Sequence, residues 1–142
     1  MFEHWKPNRL YLFFLFLLCL PLTLPVEATP LVRAVLKGDQ QGFKDLLEQG
    51  ADVNLQQKDG TTALIIALRQ GQSEMARLLL ARDADVNLKD KRARNALMEA
   101  IIGKHLELAK QIMVKTADIN AFDFKQQTPL MFAVGAHTEL VS

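Results

Sequence analysis

Several absences narrow the class of this 142-residue chain before any motif is considered. It has one cysteine, Cys19, which excludes a disulfide framework and any Cys-rich zinc module. It has almost no net charge: 17 Lys and Arg against 16 Asp and Glu leave +1. That balance argues against a polybasic nucleic-acid binder and against a disordered acidic tail. Seven Gly and five Pro are too few for a collagen-like or low-complexity chain. The length fits one domain.

The apolar residues are unevenly spread. Residues 1–28 hold 18 of them, together with Cys19, the single Trp (Trp5) and the single Tyr (Tyr11). Lys6 and Arg9 form a basic flank, and Leu10 to Leu20 is an apolar run of eleven residues. Pro21 and Pro25 break any helix there, and Val26-Glu27-Ala28 offers a small-residue cleavage site. This order predicts a secretory signal peptide over 1–28, cleaved after Ala28. The alternative is an uncleaved N-terminal anchor, but a span needs about 20 apolar residues, and that length would cross both prolines. Bulky Phe16-Leu17-Leu18 before Cys19 argues against a lipoprotein signal. Cleavage would release an exported chain, periplasmic or secreted, with no membrane association. It would contain no Cys, Trp or Tyr, so it could fold in an oxidising compartment without mispaired disulfides.

The remainder, 29–142, repeats itself. Gly50-Ala51-Asp52-Val53-Asn54, Asp83-Ala84-Asp85-Val86-Asn87 and Thr116-Ala117-Asp118-Ile119-Asn120 recur at steps of 33 residues. A second series keeps the same step: Thr29-Pro30-Leu31, Thr62-Ala63-Leu64, Asn95-Ala96-Leu97 and Thr128-Pro129-Leu130. Thr29, Thr62, Asn95 and Thr128 are good N-cap residues, and Pro30 and Pro129 suit a first helical position. A second helix per unit carries an apolar stripe: Met75, Ala76, Leu79 and Leu80, then Leu108, Ala109, Ile112 and Met113. Polar, turn-like stretches join the units. No unit can bury its stripe alone, so the units must stack.

These motifs resemble the ankyrin repeat family across 29–142. The resemblance implies an all-α repeat solenoid of helix–turn–helix units with short β-hairpin fingers, about three and a half repeats long. The repeats fall at 29–61, 62–94, 95–127 and a partial 128–142. The sequence also departs from the family pattern. Val32, Ile65, Met98 and Met131 stand where the family usually has a His that bonds between repeats, so stability is expected to lean on apolar packing. The hairpin glycine is present as Gly60 but is replaced by Ala93 and Gln126. Gly103 falls one place early, leaving Lys104 at the usual glycine site. The fourth repeat is one residue short before Glu139, and Ser142 falls near the start of its second helix, which predicts an uncovered apolar end.

No catalytic constellation emerges. His105 and His137 are isolated, and Asp52, Asp85 and Asp118 recur at the repeat period, as turn-stabilising residues do. Gly38 to Gly42 has no following Lys-Ser/Thr pair, so there is no phosphate loop. The chain reads as a non-enzyme with no cofactor and no metal. The resemblance instead implies a protein partner held by the fingers and the inner-helix surface. The candidate residues there are Lys58 in the first finger, and Lys89, Lys91, Arg92 and Arg94 in the second. Phe122, Phe124 and Lys125 follow in the third, with Arg69 and Lys104 after the inner helices. Gln56, Asp59, Thr61, Gln70, Ile102 and Gln127 flank them. The cations predict an acidic protein partner, and the two phenylalanines are candidate anchors. The alternative is a structural or self-associating piece that uses its uncapped C-terminal end. Export and balanced charge both oppose nucleic-acid binding.

Overall fold

The computed structural model describes residues 28–115 and 117–138. The proposed leader, apart from Ala28, and the last four residues lie outside the described residues.

Each of the first three units is a pair of short helices, and the fourth is described through its inner helix alone. The inner helices are α1 (Pro30–Lys37), α3 (Ala63–Arg69), α5 (Ala96–Ile102) and α7 (Pro129–Thr138). The outer helices are α2 (Gln40–Glu48), α4 (Ser73–Ala81) and α6 (Leu106–Val114). The expected caps form. Thr29, Thr62 and Thr128 Oγ1 and Asn95 Oδ1 accept the N–H three residues on, at 3.4, 3.2, 3.4 and 3.1 Å. Such a bond satisfies an otherwise orphaned first-turn donor.

The turns repeat as strictly as the helices. Left-handed residues occur at three positions of the repeat: Gly38, Gly71 and Lys104 between inner and outer helix; Gly50 and Asp83 after the outer helix; Gly60, Ala93 and Gln126 in the fingers. Lys104, Ala93 and Gln126 therefore adopt the backbone that the sequence pattern assigns to glycine, with φ of 58°, 59° and 60°. Gly103, one place early, has an ordinary φ of −76°.

Inner helices pack on one another in series, and α4 packs on α6. The core runs from Leu31 to Ile112 as one continuous apolar layer, so the repeat segment packs on itself. Val32, Ile65 and Met98, at the position where histidine was expected, are fully buried. The polar links between repeats run elsewhere. Asn54 Oδ1 accepts Asp85 N–H and Asn87 Oδ1 accepts Asp118 N–H, each at 2.7 Å. Asp52, Asp85 and Asp118 accept the N–H two residues on, as turn residues do. His105 Nε2 lies 3.1 Å from the Leu68 carbonyl of the preceding repeat, so that nitrogen must carry the proton. Packing between repeats is thus not apolar alone.

The fourth repeat differs. The inner helices α3 and α5 are seven residues long, but α7 is ten and continues through the place where the earlier units turn. The residue at that register is His137, where Gly38, Gly71 and Lys104 are left-handed. Without such a residue the helix runs on.

Candidate protein-binding face

The three fingers are tight turns stacked side by side; no residue is in a strand among the described residues. Each is closed the same way. Gln57 N–H donates to Thr61 O, Asp90 N–H to Arg94 O and Asp123 N–H to Gln127 O, at 2.9–3.1 Å. Within each loop the left-handed residue donates back to the first, as Gly60 to Gln57, Ala93 to Asp90 and Gln126 to Asp123. This is the three-residue hairpin loop that ends in a left-handed residue. Neighbouring fingers are tied by main chain: Lys91 N–H donates to Asp59 O at 2.7 Å, and Phe124 N–H to Arg92 O at 3.1 Å.

Buried carboxylates and the less deeply placed Arg69 and Arg94 alternate beneath the tips. Asp90 Oδ1 accepts Arg92 and Arg94 N–H, while Oδ2 takes Arg69 at 2.9 Å. Asp123 repeats the motif one unit on, taking Lys125 and Gln127 N–H. Glu99 receives Arg69 at 2.9 Å and Arg94 at 3.8 Å, and Arg94 Nε lies 3.5 Å from Asp123 Oδ2. The hydrogen bond to Glu99, with Asp90 beside it, raises the Arg69 guanidinium above its ordinary value against the opposing effect of burial. Burial of Asp123 favours its neutral form. The Gln127 and Lys125 N–H groups and Arg94 outweigh that and hold its carboxyl below the usual range.

The sequence candidates therefore separate into two groups. Arg69 and Arg94 are engaged between repeats; Arg94 is only 19% exposed and lies 5.4 Å from the Phe132 ring centre. Lys58, Lys89, Lys91, Arg92, Lys104 and Lys125 are exposed and form no ion pair among the described residues. Gln56 is also exposed, but its amide bonds to Gly60 O and to Lys89 O of the next finger, so it staples tips together. The Thr61 side chain, together with the Thr61 N–H that Asp59 accepts, lowers the Asp59 carboxyl. Phe122 is half-exposed with Lys89 Nζ 5.9 Å from its ring centre, and Phe124 is 75% exposed. The periodicity that found the finger positions could not show which arginine turns inward. The carboxylates that receive it, Asp90, Glu99 and Asp123, are brought together only by the fold.

A second feature lies at the end of the stack. Leu97, Ile101, Leu106, Met113, Ile119 and Leu130 line an apolar groove of about 490 Å³. Met113 stands at the register of Leu80 one repeat earlier. Leu80 is 3% exposed because α6 covers it, and Met113 is 49% exposed because no described helix does so.

Stacked helix pairs with fingers projecting from one edge define a repeat solenoid whose surface, rather than an internal cleft, is available for recognition. A family model described as ankyrin repeats (three copies) matches residues 31–123, and the chain belongs to the ankyrin repeat family. Members of that family are generally protein–protein interaction modules and typically non-catalytic. No curated protein matches the chain.

Proposed function

We propose that this chain is an exported, non-catalytic module that grips an acidic protein partner with its second and third finger tips. The observation that carries the reading is the unequal use of the cations. Arg69 and Arg94 are neutralised beneath the tips, while Lys89, Lys91, Arg92 and Lys125 stand exposed on the second and third fingers, with Lys89 beside Phe122 and with Phe124 exposed. Exposed charge steers encounter and rejects like-charged partners, and an exposed aromatic beside it supplies an anchor. The ordered basic, apolar and cleavage segments of residues 1–28 support export.

The test is capture of binding proteins with wild type, Lys91→Glu/Arg92→Glu and the remote Lys44→Glu. A partner lost only with the finger double variant and bound less at high salt supports the reading. Equal retention by all three proteins removes the basic face from it.

A further inference from the structure

We infer that the acidic partner offers an α-helix laid along the row of fingers, with carboxylates over the second tip and an apolar side chain two turns on against Phe124. The inference rests on the finger-binding function proposed above and specifies what the fingers grip.

The three tips are chemically ordered. Two registers of the finger are exposed in every repeat: Gln56 and Lys58, then Lys89 and Lys91, then Phe122 and Phe124. The second finger lies between the other two, and its pair is exposed nonetheless. Exposure here therefore belongs to the register and not to the end of the stack. In the first finger Lys58 stands next to Asp59, which offsets its charge. In the second the acid is Asp90, which is buried and held by Arg69, so Lys89, Lys91 and Arg92 keep theirs. In the third, the Phe122 ring already has Lys89 beside it, whereas the Phe124 ring has no cation over it among the described residues. A complementary surface brings carboxylates to the second finger and an apolar side chain to the third.

The step between tips selects the secondary structure of that surface. The inner helices α3 and α5 pack together, and packed helices lie about 8–10 Å apart. The tips keep the same step because Phe124 N–H is bonded to Arg92 O. In a strand, side chains on one face recur about every 6.8 Å, so the next one falls short and the one after it, at about 13 Å, overshoots. In a helix, residues i, i+3 and i+7 share one stripe, and i+7 lies about 10.5 Å along the axis from i. Carboxylates at i and i+3 then sit over the second finger while the side chain at i+7 reaches Phe124.

Three fluorescein-labelled helical peptides, Ala/Gln-based and about 20 residues long, test this by fluorescence anisotropy at low salt. The first carries Glu at i and i+3 and Leu at i+7. The second moves Leu to i+5, away from the stripe. The third keeps the first peptide's Glu and Leu residues but has Pro at i+5, which breaks the helix. The first should bind roughly tenfold more tightly than either of the others, as an apolar anchor requires. Phe124→Ala, at an exposed position, should reduce its binding to that of the second. Equal binding of the three peptides overturns the inference and leaves the acidic-partner reading standing. So does a difference between the first two that survives Phe124→Ala. If no peptide binds, or if Lys91→Glu/Arg92→Glu binds the first peptide as well as wild type does, the finger-binding function itself fails and the inference falls with it.

Discussion

Ala93→Gly should stabilise the protein, although it deletes a methyl group and loosens the unfolded chain. Ala93 sits at φ 59° in the second finger, where the first finger has Gly60 at φ 75°. An L-residue held in the left-handed region costs about 1–2 kcal/mol. Introducing glycine returns about 0.4–1 kcal/mol of that through unfolded-state freedom. Ala93 is only partly buried, so little packing is lost. The net expectation is a gain of about 0.5–1 kcal/mol, or roughly 3–5 °C in Tm for a domain of this size. The assay is thermal unfolding by far-ultraviolet circular dichroism, because the repeat segment has neither Trp nor Tyr. Gly60→Ala is the reciprocal control. Its new Cβ would fall 2.7 Å from the Lys89 carbonyl oxygen, so backbone strain and a main-chain clash add. It should lower Tm by more than Ala93→Gly raises it. An unchanged or lowered Tm in Ala93→Gly would refute the strain assignment at this turn.

Arg94→Met should cost about 2–3 kcal/mol in urea unfolding, because Glu99 and Asp123 stay buried with one cation fewer. Arg92→Met, on the exposed side of the same finger, should stay within about 0.5 kcal/mol; equal effects would contradict the inward placement of Arg94. The carboxyls of Asp59 and Asp123 are lower in the folded chain than their ordinary value. Their stabilisation is therefore complete above the unfolded value near about 4 and is lost as pH falls below it. The urea midpoint should fall on acidification through that range, and less steeply in Asp123→Asn; identical slopes would show that Asp123 does not carry the effect.

Most of the fold could be read from the sequence because every structural device recurs at 33 residues. Caps, turn residues and stripes reinforce one another, and the replacement of glycine by Ala93, Lys104 and Gln126 was legible, though not that the backbone stays left-handed there. The inward arginines were not legible. Arg92 and Arg94 differ by two residues in one finger, and only the three-dimensional neighbours Glu99 and Asp123 decide which is drawn under the tips. Histidine-free inner helices suggested apolar packing alone, whereas asparagine side chains reach from one repeat to the next N–H of another. The overrun of α7 has the same origin as the regular turns: the earlier helices stop where a left-handed residue follows, and the last one meets none.

The main-chain bonds from Lys91 to Asp59 and from Phe124 to Arg92 have a mechanical consequence. Loops that move independently must each be frozen when a ligand arrives. Here each tip takes its position from the one before it, so the cations lie at intervals fixed in advance, like graduations on a ruler. A partner that matches those intervals meets an edge already assembled, and the ordering falls on the partner's side.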